Sequence, residues 1–500
     1  MAGPFYQKLT EQFQRIYHLQ HLQSIVSWDQ ATTMPSGGNQ ARSNALSELA
    51  VTIHQTYNQN GLTEWFERAE DESLDMSEHQ SLREMRRRWQ LATMLPTELV
   101  KAKSLAGSQC EYAWRDQRHH NDWTGFAKNF KEVVTLSREE AKIRSSITGM
   151  LPYDTLIDFY EPEMTQQRLD QVFGPMQQWL PELIQTVQAK QQDWQILPYG
   201  HNGHYGHYGD DAQKAVGLKI MDYFGFDFNH GRLDVSTHPF CGGVPEDVRI
   251  TTRYESEDFS RSLMGIIHET GHARYEQNLP QQWRGLPVGE ARSMGIHESQ
   301  SLFFEMQLGR HQAVLQTILP WVQQHLESDL NITQFHRHYL QVKPGYIRVD
   351  ADEVTYPAHI MLRYQIERDL ISGVIEVDDI PELWDELMKK YLHISTKDNY
   401  RDGCMQDIHW TDGSFGYFPS YTLGAMYAAQ FYAAMTQQFP TIAAELEQGN
   451  IQPITEWLRT HIWQQGCLHT TDKLVSAATG EILNPEYFHQ HLRQRYLNDN

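Results

Sequence analysis

Within the run His268-Glu269-Thr270-Gly271-His272 the residue types and their spacing suit one kind of chemistry. On a helix, positions i and i+4 share a face, so both imidazoles can hold a single ion. Zinc takes such nitrogens at about 2.0–2.1 Å, and the glutamate between them is then directed at water in the open coordination position. Because 25 of the 500 residues are histidine, an HExxH arises by chance with a probability of about 0.1. Context strengthens it: Phe259, Leu263, Met264 and Ile267 form a helical apolar stripe before it, Glu257-Asp258 suits a first turn, and Pro280 supplies a stop. Two imidazoles and a water leave one protein ligand to be found, often a glutamate on a later helix. Glu298, in His297-Glu298-Ser299-Gln300, competes by distance with Glu290 and Glu305, and a glutamate at a helix start is as readily a surface residue.

The elements that must position these residues read as amphipathic helix. Leu9, Phe13, Ile16, Leu19, Leu22 and Val26 recur at steps of three and four. Similar patterns occupy 38–57, 79–145, 165–193, 210–225, 257–279, 296–328, 357–373 and 421–447, with Pro35, Pro152, Pro280 and Pro440 at helix ends. Strand signal is confined to Val248–Tyr254, β-branched and alternating, after the turn-rich Cys241-Gly242-Gly243-Val244-Pro245. There is no long Ser/Gly/Pro linker and no fixed-period repeat. The Arg86-Arg87-Arg88 run reads as a solvated helix face. The expectation is a mainly α protein forming one large helical body with a small sheet beside the metal site. A tract at 199–209 repeats His201, His204 and His207 among glycines, which predicts an exposed loop rather than a preorganised metal site.

Composition narrows the partners. Lys+Arg number 42 against Asp+Glu 64, a net charge of −22, which repels phosphate backbones and anionic membranes. The four cysteines, Cys110, Cys241, Cys404 and Cys467, form no CxxC pair, so a disulfide framework is not expected. With neither a signal-like N-terminus nor an apolar run of about 20 residues, the reading is a soluble, cytoplasmic protein.

Six collinear segments resemble the carboxypeptidase Taq family of metallocarboxypeptidases, peptidase family M32. They are Asp234-Val-Ser-Thr-His-Pro-Phe240, Asp247-Val-Arg-Ile-Thr251, the HETGH at 268–272, the HESQ at 297–300, Ile347-Arg-Val-Asp-Ala-Asp352 and Gly403-Cys-Met-Gln-Asp-Ile-His-Trp410. Supporting stretches are Ser27-Trp28-Asp29-Gln30, the Tyr160-Glu161-Pro162 region and Gly416-Tyr-Phe-Pro-Ser-Tyr-Thr-Leu-Gly424. The resemblance implies that His268, His272 and Glu298 bind the metal, usually zinc and sometimes cobalt, with Glu269 as general base. It also implies peptide substrates and a saddle-like homodimer with a deep groove, similar in shape to angiotensin-converting enzyme and neurolysin. The whole of 1–500 would then be one domain, with a helical N-terminal part at about 1–195 and a catalytic core at about 210–435.

Trimming a C-terminal residue requires something that recognises a free carboxylate, and the planar fork of arginine matches it best. Arg249, Arg253 and Arg348 are candidates; the resemblance favours Arg348, against an ordinary ion pair with Asp350 or Asp352. His238 would line the same groove or hold a turn. His409 and Tyr421, in preference to Tyr417, would help the oxyanion, and Gln406 and Asp407 would orient neighbours. Two other readings compete: an oligopeptidase cutting internal bonds, and a non-catalytic helical scaffold with a structural metal.

Overall fold

Apolar stripes at helical spacing account for most of the architecture, seen in a computed structural model that describes residues 3–194 and 208–498. His201, His204 and His207 lie outside the described residues. The first stripe forms the helix Pro4–Thr32, whose Tyr6, Leu9, Phe13 and Ile16 pack on Leu62, Phe66, Leu82 and Met85. Its second half departs from expectation at Leu22, which is 53% exposed, whereas Trp28 near its end is buried under Arg232 and Arg249.

The single run at 79–145 is three helices, Met76–Thr93, Thr97–His119 and Trp123–Thr148. Pro96 ends the first gap, and Asn121, at φ 57°, turns the chain into Asp122, whose carboxylate accepts from Gly125 N. Conversely, Gln166–Gln191 passes through Pro175 and Pro181 without ending. The helices Ile380–Leu392, Gln452–His461, Thr471–Thr479 and Glu486–Leu497 fall outside the expected runs. They belong to the largest apolar cluster, which draws residues from Leu99 to Tyr496.

The expected strand is β3, Asp247–Thr252, the centre of a three-stranded sheet. It pairs in parallel with β1, Gly231–Val235, and antiparallel with β2, Cys241–Val244. Strand β2, Cys-Gly-Gly-Val, has no alternating pattern, and β1 alternates over only Arg232–Val235, too short a run to stand out in the sequence. Val248 and Ile250 pack with Ile266 and Ala273 of the helix Phe259–Gln277, so the sheet backs the metal-motif helix.

Arg86, Arg87 and Arg88 correct the solvated-face reading. Arg86 pairs with Glu70 at 2.8 Å and lies over Phe66; Arg87 pairs with Asp158 at 3.2 Å; Arg88 pairs with Glu290. Each reaches a different neighbouring segment. Among the described residues no helix is long and apolar enough to cross a membrane, and the four cysteines are unpaired.

Candidate active site

Asp258 starts the helix Phe259–Gln277 by accepting from Ser260 N at 2.9 Å, and Phe259, Leu263, Met264 and Ile267 bury one face of it. His268, Glu269 and His272 therefore fall mid-helix, with Glu269 buried. Glu298 sits on the helix Met294–Leu302, which Ser293 caps through Ile296 N at 3.1 Å. The Tyr160-Glu161 pair secures the same end: Tyr160 O accepts from Met294 N at 2.8 Å and Glu161 Oε2 from Gly295 N at 3.0 Å. An anion at a helix N-terminus also complements its dipole.

Two glycines let the ligands converge. A Cβ on Gly271 would stand 2.5 Å from the carbonyl oxygen of Gln300, so only glycine lets the two ligand helices touch. A Cβ on Gly424 would stand 2.7 Å from Glu298 Cγ, so the helix Pro419–Gln438 can press on Glu298 only there.

The result is one cluster of His268, His272 and Glu298, with donor atoms within 4.8 Å of one another. Glu298 Oε2 lies 3.9 Å from His268 Nε2 and 3.4 Å from His272 Nε2. Tetrahedral bonds of about 2.0–2.2 Å place ligand atoms roughly 3.3 Å apart, so the donor set fits a small divalent cation of the zinc type. Among the described residues no fourth His, Cys, Asp or Glu joins it. Glu290 and Glu305 are not part of the set: Glu290 pairs with Arg88, and Glu305 faces His268 from behind.

The groups behind the ligands fix their orientation. Glu305 Oε2 is 2.9 Å from His268 Nδ1 and its other oxygen accepts from Arg310 at 2.9 Å. Glu305 lies in a π-helical turn, Phe303–Gly309, which the 296–328 periodicity did not foretell. For His272 to offer its Nε2 lone pair, its Nδ1 must carry the proton. That proton is donated to His297 Nδ1, 2.6 Å away, and His297 Nε2 donates to Glu276 at 2.7 Å. His297, Glu276 and Glu305 were not assigned these roles from sequence; a carboxylate or imidazole is too common to single out without contacts.

Electrostatics favour a cation here. Burial works against a charged His268, yet the carboxylates of Glu298, Glu305 and Glu269 raise its pKa to about 10. Burial pushes Glu269 up to about 7 and His272 down to about 4. A carboxyl whose pKa lies near neutrality is suited to both taking and returning a proton.

At the other end, Arg348 is tied to Asp407 by Nε at 2.8 Å and Nη2 at 3.1 Å, while Nη1 donates to the Tyr356 hydroxyl at 2.8 Å. Neither Asp350 nor Asp352 is its partner. Asp350 pairs with Arg261 at 3.1 Å, and Asp352 accepts the backbone N–H groups of Lys343, Val354 and Thr355. Gln406 Oε1 accepts from Arg348 N at 2.7 Å, so the Gln406-Asp407 pair holds both backbone and side chain. The competing arginines are otherwise engaged: Arg249 with Asp247 and the Trp28 ring, Arg253 with Glu255.

Tyr421 lies under the Arg348 guanidinium at 5.0 Å, and Tyr417 stacks on His409 at 5.5 Å. The ionised Glu298 is among the groups that raise the phenol pKa values of Tyr356, Tyr417 and Tyr421, in each case after burial, so all three tyrosines feel the metal-site carboxylate. Tyr356 is an addition to the sequence-derived set. His238 is exposed, and its ring makes no hydrogen bond or ion pair among the described residues; only its carbonyl accepts, from Ser236 Oγ at 2.6 Å.

Known proteins resemble the chain over nearly its whole length. A family model described as carboxypeptidase Taq (M32) metallopeptidase matches residues 8–496. The chain is 35% identical over 509 residues to thermostable carboxypeptidase 1 of Thermus thermophilus, covering 98% of each. It is 33% identical to carboxypeptidase 1 of Bacillus subtilis, covering 97% of this chain and 96% of that one. Metallocarboxypeptidase 1 of Trypanosoma cruzi superposes with a TM-score of 0.96 at 42% identity, covering 99% of both chains. With a match that runs nearly the length of the chain, the chain belongs to the carboxypeptidase Taq (M32) family of metallocarboxypeptidases, a family of hydrolases.

Proposed function

We propose that the protein is a zinc carboxypeptidase that removes C-terminal residues from peptides with broad side-chain tolerance. His268, His272 and Glu298 would hold the ion, which supplies a Lewis acid and a water of lowered pKa, near 7 rather than about 15.7. Glu269 would accept a proton from the attacking water and return it to the leaving amine. Arg348 pairs with the substrate's terminal carboxylate. His409 and Tyr421 donate to the carbonyl oxygen as it gains charge, each worth about 2.7–4 kcal/mol if aimed at that oxygen. His238 contributes an exposed edge of the groove.

The observation that carries this reading is a three-donor cluster and an arginine whose terminal nitrogens are not fully used, linked by Tyr356 and Tyr421, which feel both Arg348 and Glu298. It is tested by metal analysis and by hydrolysis of a blocked dipeptide with and without chelator. A matched peptide amide separates end from middle: full activity on the amide overturns the exopeptidase and leaves an oligopeptidase. Cobalt restoring the chelated enzyme would fit the same donors. We further read 1–500 as one catalytic unit, shaped like angiotensin-converting enzyme and neurolysin, acting as a cytoplasmic homodimer. The family match over 8–496 and the unpaired cysteines support this.

A further inference from the structure

Arg348 carries five N–H groups, and three are engaged, two with Asp407 and one with Tyr356. Two remain, one on each terminal nitrogen, and that is the pair a carboxylate engages in bidentate fashion. Asp407 does not belong to Arg348 alone. Its Oδ2 also lies 2.7 Å from Nη2 of Arg363, whose side chain is 1% exposed and sits over the rings of Phe418, Trp384 and Trp410.

Two guanidinium cations thus share Asp407, and Glu367 supplies a second negative charge that acts on Arg363. The next carboxylate, Glu367, is taken by the Tyr153 hydroxyl at 3.0 Å, the Trp410 indole at 2.6 Å and Gly416 N at 2.8 Å. What is left over is donor capacity: the two unengaged N–H groups of buried Arg348 lack an acceptor, which is costly away from water, so that edge suits an anion from outside. The other Asp407 oxygen is 3.4 Å from His409 Nδ1, which puts His409 in register with the same carboxylate.

We propose that Asp407, backed by Arg363, is a positioning residue for C-terminal recognition: it grips Arg348 by one edge and presents the opposite edge to the substrate, while Arg363 holds Asp407 in place from the other side. This rests on Arg348 being the carboxylate anchor. Arg363 acts at one remove, through Asp407.

The experiment compares kcat and KM on matched free-acid and amidated peptides for Arg348→Ala, Asp407→Asn, Arg363→Met and Arg363→Lys. Asp407→Asn and Arg363→Met should each narrow the free-acid preference by about tenfold or more, chiefly through KM, whereas Arg363→Lys keeps it. In Arg348→Ala, added guanidinium should restore part of the free-acid activity, and the Arg348→Ala/Asp407→Asn double variant should lose that rescue. If Arg348→Ala abolishes the preference but Asp407→Asn preserves it, Asp407 is structural and the inference falls while the anchor stands. If Arg348→Ala preserves the preference, the anchor reading itself falls. Should Asp407→Asn not fold, equal preferences in Arg363→Met and Arg363→Lys overturn the inference.

Discussion

At the metal end, two ligands stand four residues apart on Phe259–Gln277 and the third comes from the helix packed against it. At the carboxylate end, Arg348 lies in a short 3-10 turn, Arg348–Asp350, and its partner Asp407 is 59 residues away in an irregular stretch. One end is built from helix periodicity, which fixes the ligand spacing before any tertiary contact forms. The other exists only once distant segments are packed, and its groups share charges, so a change in one redistributes the others. A local site should therefore lose chemistry when edited and keep its shape; an assembled site should lose selectivity first.

The largest effect that would sharpen this contrast is at Glu269. Glu269→Gln should lower kcat about 10³-fold while the protein keeps its metal, read by steady-state kinetics beside metal analysis. Turnover near the parent level would remove Glu269 as the base. Next comes Arg348→Ala, expected to reduce kcat/KM on free-acid peptides about 10²-fold, and far less on amides. An equal loss on both would mean that the assembled end serves catalysis rather than recognition.

Glu305→Gln should weaken metal binding by about 10- to 100-fold, because His268 loses the carboxylate that orients it; competition with a chelator measures this. Gly424→Ala forces a methyl to within 2.7 Å of Glu298 Cγ and should cost about 1–3 kcal/mol of stability, seen as a lower Tm. If Tm is unchanged, the helix Pro419–Gln438 does not constrain Glu298.

A last effect is graded with pH and is small near neutrality. His359 is fully buried, makes no hydrogen bond among the described residues, and burial lowers its pKa to about 3. The unfolded chain binds a proton at His359 below about pH 6.5 that the fold refuses, so stability is full above that value and falls toward pH 3. The slope is about 1.4 kcal/mol per pH unit, and His359→Leu should flatten it in acid-unfolding titrations. An unaltered slope would assign the acid lability to other groups.

The metal motif was legible because two histidines and a glutamate at i, i+1 and i+4 carry their meaning in spacing alone. The strand Asp247–Thr252 was legible for a similar reason, its β-branched alternation. Its partners were not, since Gly242 and Gly243 in β2 show no pattern until β3 lies beside them. Helix breaks at Pro96 and Asn121 and the passage through Pro175 and Pro181 show that proline marks a boundary only where packing permits one. The arginine run was misjudged because charge says nothing about which carboxylate will be near.

From residue types and order alone come the helical class, the ligand pair His268 and His272 with Glu269 between them, and, through collinear motifs, Glu298. These follow from short-range periodicity or from motif order along the chain. Only the folded chain decided that Glu305 turns to His268 rather than joining the His268, His272 and Glu298 cluster, that Gly271 and Gly424 let three helices close on that cluster, and that Asp407 rather than Asp350 or Asp352 holds Arg348. Charges and glycines act through whatever packing brings within a few ångströms, and that proximity is set by tertiary contacts rather than by distance along the sequence.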